Sequence, residues 1–114
     1  MPDRPTPERQ EPLLPGTLDM LVLKAIALEP MHGYGIGLRL AQVSRGVFQV
    51  NPGSLFPAFR RLERAGWIRG EWRATENNRR AKYYVATPRG LKRLEAETRA
   101  WARVTSAITR ILEA

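Results

Sequence analysis

A chain of 114 residues with no cysteine and a single histidine is one domain's worth of sequence and excludes disulfides, thiolate metal sites and multi-histidine metal centres. A formal net charge of +8 points to a polyanionic partner, either nucleic acid or an anionic membrane surface. The longest apolar stretch, Leu18 to Leu28, contains Asp19 and Lys24 and is too short to span a bilayer. No signal peptide is visible, so the expected setting is cytoplasmic, with no membrane partner.

Residues 1–14 are Pro-rich and polar and are expected to form a flexible tail. Gly16-Thr17 offers a helix cap, and Leu18, Leu21, Val22, Ala25 and Ile26 repeat at helical spacing, so a first helix is predicted over Leu18–Leu28 and ends at Pro30. It is apolar on several sides, which calls for cover from its own domain and from a partner subunit; Leu18, Leu21 and Val22 are assigned to that interface. A second helix is predicted over Gly33–Ser44 and stops at Gly46, and Val47–Val50 reads as a lone short strand.

Asn51-Pro52 begins a third helix that runs to Ala65, with Leu55, Phe59 and Leu62 on one face and Pro57, Arg60 and Arg64 opposite. Its cap is either Asn51, which leaves Pro57 inside the helix, or Ser54, which leaves Pro57 in the first turn. Trp67–Arg73 and Arg80–Thr87 suit a hairpin around ATENNR. Thr87-Pro88 starts a fourth helix, in which Leu91, Leu94, Thr98, Trp101, Thr105, Ile108 and Leu112 follow a heptad-like 3-4 repeat with Val104 and Ile111 alongside. Either this helix folds back through Leu91 and Leu94, or its seam pairs with a second copy. The predicted fold is therefore mainly α with a small β-hairpin (α+β): a winged helix-turn-helix over 15–87, followed by a C-terminal dimerisation helix over 88–114.

From Val50 to Tyr84, eight basic side chains (Arg60, Arg61, Arg64, Arg69, Arg73, Arg79, Arg80 and Lys82) stand against Glu63, Glu71 and Glu76. A basic helix followed by a basic hairpin suits double-stranded DNA: the helix enters the major groove and the wing meets phosphate or the minor groove. Asn51, Ser54, Phe56, Pro57, Arg60, Arg61 and Arg64 are the candidate contacts on the helix. Asn77, Asn78, Arg79, Arg80 and Lys82 are those on the wing, while Arg69 and Arg73 have no assigned role. Arginine either grips guanine through two hydrogen bonds or clamps a phosphate. Glu63, Glu71, Glu76, Glu95 and Glu97 interleave with basic residues as surface ion pairs. The glycines of GYGIG follow no strand and do not make a dinucleotide loop. His32, alone beside Gly33, fits a helix start or a packing role. No catalytic set, cofactor or metal is expected.

The pieces LPGTLDMLVLKAI, HGYGI, NPGSLFPAFRRLERAGWI and RRAKYYVATPRG stand in an order and spacing that resembles the PadR family of bacterial transcriptional regulators, in its short form with one C-terminal helix. The resemblance covers about Leu14 to Leu94. It implies a DNA-binding repressor released in some members by small aromatic molecules. It also implies that Tyr34 approaches the DNA backbone, against the alternative of packing beside Leu38, and that the position of Phe56 often carries tyrosine. Trp101 on the seam either fills a dimer core or stacks on an aromatic effector. The sequence thus predicts a homodimer on a pseudo-palindromic operator, with Trp101, Val104, Ile108, Ile111 and Leu112 in its interface. The rivals are a winged-helix module for structured RNA, with Trp72, Tyr83 and Tyr84 stacking on bases, and a protein-interaction scaffold.

Overall fold

The computed structural model describes residues 16–114; the tail expected over 1–14 lies outside the described residues. The elements are α1 (Thr17–Leu28), β1 (Met31–His32), α2 (Gly33–Val43), α3 (Pro52–Arg64), β2 (Ile68–Ala74), β3 (Arg80–Ala86) and α4 (Pro88–Leu112). The sheet is antiparallel in the order β1-β3-β2. Helices α1, α2 and α3 pack around one core that the sheet closes from the side.

Each helix start has a local cause. Gly16 is the N-cap of α1 in a left-handed conformation (φ 87°) with no side-chain cap bond, and Thr17 is already helical. His32 caps α2, its Nδ1 accepting the Gly35 N–H at 3.1 Å. Asn51 caps α3, its Oδ1 accepting the Ser54 N–H at 3.0 Å, with Pro52 in the first position. Pro57 therefore lies inside α3 and cannot donate to the carbonyl of Gly53. That carbonyl is in the exposed first turn, where water serves it at small cost. Thr87 caps α4 through the Gly90 N–H at 3.0 Å. The end of α1 is closed from a distance: the Arg39 guanidinium donates to the carbonyls of Ala25 and Glu29 at 2.6 and 2.8 Å.

Two expectations change here. Val47–Val50 is a loop, not a strand: no neighbouring strand offers it a ladder, and its entry is a left-handed turn at Arg45 and Gly46 (φ 56° and 83°). The extra strand is instead Met31–His32, which pairs with Tyr84 and Tyr83 of β3 and makes the hairpin a three-stranded sheet. The hairpin itself begins at Ile68 rather than Trp67 and ends at Ala86, because Thr87 is committed to capping.

The core contains Val22, Leu23, Ile26, Ile36, Leu55, Ala58, Phe59, Leu62, Ile68 and Tyr84. Val22 is 0% exposed, so the interface role expected for it is withdrawn: it faces its own domain and offers no surface to a partner. Phe59 stacks on Tyr84 with ring centroids 4.5 Å apart and meets Phe56 edge-on at 5.4 Å. Gly33 and Gly37 explain the GYGIG spelling. A Cβ at Gly33 would stand 3.0–3.1 Å from the rings of Phe56 and Phe59, and one at Gly37 would stand 3.0 Å from Leu55. The glycines bring α2 against α3.

Helix α4 leaves this body. Gly90 and Leu94 are buried at its start, whereas Leu91 is exposed, so only Leu94 of the two folds back on the domain. At 1.5 Å per residue the helix is about 37 Å long, and beyond Leu94 its apolar residues face solvent. Phe59→Ala is expected to cost about 3–5 kcal/mol, read as a drop in the midpoint of denaturant unfolding followed by circular dichroism.

Candidate nucleic-acid interface

The direction of the α3 side chains follows from its buried face. Leu55, Ala58, Phe59 and Leu62 turn inward, and at 100° per residue Ser54, Arg60, Arg61 and Arg64 turn outward and are exposed, with Pro57 half-buried among them. Asn51 and Ser54 stand at the N-terminal tip, each exposed, and their mutual cap bond uses the Asn51 carbonyl oxygen and the Ser54 backbone. The Asn51 amide NH2 and the Ser54 hydroxyl remain available for a ligand.

Beside this helix lies an open cleft of ≈ 550 Å³. Tyr34, Phe56 and Tyr84 give it aromatic walls, and Arg79, Arg80 and Lys82 line its wing side. Six of the expected contacts (Tyr34, Phe56, Asn77, Arg79, Arg80 and Lys82), from α2, α3 and the wing, thus meet in one concavity. Tyr34 is 70% exposed and its ring meets Phe56 edge-on at 5.8 Å. Phe56 is tied on its other side to Phe59, so its contribution is a half-buried apolar edge. The wing turn is closed by the Asn78 N–H donating to the Thr75 carbonyl at 2.9 Å, and Thr75 N–H donates to the Arg79 carbonyl at 2.6 Å. Asn78 adopts φ 60°, a conformation asparagine tolerates. Asn77 rather than Asn78 lines the cleft.

Ion pairs sort the basic residues. Arg61 is drawn back to α1: its Nε and Nη2 donate to the two Asp19 carboxylate oxygens at 3.0 and 2.7 Å. Its fork is occupied, which revises the expectation that it reaches DNA, and the Asp19 hydrogen bond raises its already high pKa. Lys82 pairs with Glu63 at 3.2 Å and lies 5.4 Å from the Tyr84 ring centroid. Arg69 and Arg73 both bind Glu71, and these two arginines hold its carboxyl below the usual carboxylate range. Burial pushes the Tyr84 hydroxyl up. No carboxylate lies in salt-bridge range of Arg60, Arg64, Arg79 or Arg80 among the described residues. The Asp19–Arg61 bridge joins residues 42 apart in sequence, so no local pattern announced it.

The other candidate surface is the α4 seam. Trp101, Val104, Ile108, Ile111 and Leu112 are all exposed, the last two by 74% and 79%. Thr98 and Thr105 turn their hydroxyls back onto the carbonyls of Leu94 and Trp101, at 2.7 and 3.0 Å, which satisfies them within the helix. On the domain, Leu18 and Leu21 are half-buried. Leu21 joins Ala25, Leu28, Leu40, Val43 and Phe48 around an apolar hollow of ≈ 170 Å³. Among the described residues no group of three or more His, Asp or Glu side chains could hold a metal ion. No helix there is long and apolar enough to cross a membrane.

Residues 22–96 match the model of the transcriptional regulator PadR-like family. The chain is similar in structure to a PadR-like transcriptional regulator from Bacillus cereus, with a TM-score of 0.77 and 27% identity over 87% of this chain and 94% of that one. It is similar to a PadR family transcriptional regulator from Eggerthella lenta, with a TM-score of 0.74 and 32% identity over 87% of this chain and 84% of that one. In sequence it is 37% identical, over 89 residues, to an uncharacterized 37.1 kDa protein in a transposon of Streptomyces fradiae. That match takes in 78% of this chain and spans 24% of the relative's length.

Asn51 separates its two roles by substitution. Asn51→Ala is expected to lose about 1 kcal/mol of stability with the cap. Asn51→Asp keeps the cap and the melting temperature but places a negative charge at the tip of α3, weakening duplex DNA binding severalfold; thermal melts and anisotropy titrations read the two effects separately.

Proposed function

The chain belongs to the PadR-like family of transcriptional regulators, and from that premise we propose that this DNA-binding regulator, which is not an enzyme, is a cytoplasmic homodimeric repressor of a pseudo-palindromic operator. The observation that carries the reading is the pairing of two unmatched surfaces on one chain. One is cationic: the outward face of α3 with Arg60 and Arg64, and the wing with Arg79 and Arg80, all without a carboxylate partner among the described residues. The other is apolar: the far part of α4.

In this reading the tip of each α3 enters a major groove. Asn51, Ser54, Phe56 and Pro57 come nearest the base edges and Arg60 and Arg64 either read guanine or clamp phosphate. Tyr34 approaches the backbone from the start of α2. Asn78, Arg79 and Arg80 bring the wing to phosphate or to the minor groove, with Lys82 two residues further along β3 from the tip. Arg61 acts indirectly, by fastening α3 to α1. Trp101, Val104, Ile108, Ile111 and Leu112, with Leu18 and Leu21 on α1, form the interface. Withdrawing each such aliphatic side chain from water is worth on the order of 1–2 kcal/mol. The two α3 helices then meet DNA one helical turn, about 34 Å, apart. Trp101 pairs with its counterpart across the two-fold axis. A flat aromatic effector that enters between the two indoles would change the spacing of the subunits and release the operator.

Footprinting of the DNA upstream of the chain's own gene tests the whole reading. A two-fold symmetric protected site is expected, and transcription from that promoter should fall when the protein is added. Sedimentation should give twice the chain mass, and Ile108→Lys should return it to one. If the dimer neutralises about 6–10 phosphates, affinity should fall roughly 10³–10⁵-fold between about 50 and 200 mM salt; a flat salt dependence overturns the electrostatic account. Arg60→Ala relaxes sequence choice if the side chain reads a base, and weakens all duplexes alike if it holds phosphate.

A further inference from the structure

Trp72 has no task in the reading above, yet it is 59% exposed in the wing. Strand register defines where it sits. Ile68, Gly70, Trp72 and Ala74 alternate onto one face of β2, opposite Ala86, Tyr84, Lys82 and Arg80 of β3. Ile68 and Tyr84 on that face are buried in the core, and Gly70 lies beside the carboxylate of Glu63 in α3. Trp72 therefore lies on the α3 side of the wing, further toward its tip.

The two faces of the wing differ in how their basic side chains are paired. On the outer face, Arg69 and Arg73 share the single carboxylate of Glu71. On the inner face Lys82, the cross-strand partner of Trp72, is drawn back to Glu63. Arg80 has no carboxylate partner among the described residues; its guanidinium carbon instead stands 5.7 Å from the centroid of the Trp72 ring. An arginine held against an aromatic ring keeps its donors free at the edge of the guanidinium plane while losing much of its rotamer freedom beforehand. That arrangement suits a phosphate, whose oxygens accept in the guanidinium plane, and the rest of the indole offers a flat apolar surface to the adjoining deoxyribose.

We propose that Trp72 is a positioning residue for DNA binding, which holds the Arg80 guanidinium for a backbone phosphate on the α3 side of the wing and packs its own ring against the sugar. The proposal rests on the reading of the wing as a DNA contact. Its distinguishing consequence is that an uncharged side chain governs part of the salt dependence.

The test titrates a random-sequence DNA duplex with the full chain across a range of salt, for the wild type, Trp72→Ala, Trp72→Gln, Arg80→Ala and the double variant Trp72→Ala/Arg80→Ala. Arg80→Ala should weaken binding roughly 3- to 10-fold and lower the salt slope by about one per chain. Trp72→Ala and Trp72→Gln should lower the slope nearly as much although neither removes a charge, and should weaken binding at least as far as Arg80→Ala because the ring's contact with the sugar is lost too; the double variant should be no weaker than Trp72→Ala. Melting temperatures within a few degrees of the wild type establish that the variants are folded, and Trp72→Gln serves should Trp72→Ala prove unstable. A wild-type slope in both Trp72 variants, or losses that multiply in the double variant, overturns the proposal while leaving the DNA reading intact. A wild type that does not bind duplex DNA overturns both.

Discussion

The stack of Phe59 on Tyr84 is the contact on which the rest of the structure depends. It joins the middle of α3 to the central strand of the sheet, and the edge-on contacts from Phe59 to Phe56 and from Phe56 to Tyr34 extend it to the start of α2. A helix anchored by one fully buried ring, with Leu55 and Leu62 a turn to either side, has its rotation about its own axis determined. The outward aim of Arg60 and Arg64 is a consequence of that anchor. The same row of rings places the aromatic wall of the cleft, so core and cleft share side chains.

Electrostatics then selects among the basic residues. Exposed ion pairs contribute little to stability, typically about 0–1 kcal/mol, and the bridges Asp19–Arg61, Glu63–Lys82 and Arg69–Glu71–Arg73 are all at least partly exposed. Their larger effect is on the field. They cancel the charges of Arg61 and Lys82 on the flank of α3 and one of the two arginine charges on the outer face of the wing, and they leave those on the outward face of α3 and at the wing tip. The elements that flank the cleft thus carry four arginines without a carboxylate partner among the described residues, Arg60, Arg64, Arg79 and Arg80.

Much of this was legible along the chain. Asn51-Pro52 and Thr87-Pro88 marked helix starts because capping chemistry is local, and Leu55, Phe59 and Leu62 marked a buried face because helical periodicity is local too. The misses have a common cause in tertiary contact. Met31–His32 is a strand only because Tyr83 and Tyr84 run beside it, and two residues after a proline carry no pattern of their own. Val47–Val50 has the composition of a strand but lacks a partner. Val22 and Leu21 are adjacent on a helix that is apolar all round, so periodicity alone did not tell which of them faces inward. Arg61, one position from Arg60, is set apart by a carboxylate on another helix. The family resemblance carried by four short segments was confirmed by a family match over residues 22–96, while the roles of individual side chains rest on their geometry.

The junction at Thr87 has a mechanical meaning. Its hydroxyl donates to the carbonyl of Gly66 at 2.7 Å and accepts from the Gly90 N–H, while its own N–H donates to the Trp67 carbonyl at 3.0 Å. A Cβ on Gly90 would drive into that same Trp67 carbonyl, so the backbone just past the end of α3 and the first turn of α4 are in direct contact. The long helix is a lever whose fulcrum lies at the foot of α3. For a lever of about 37 Å, a rotation of five degrees at the fulcrum moves the far end by roughly 3 Å, about the rise of one base pair. In the proposed dimer, the separation of the two α3 helices would be geared to the angle at a single threonine.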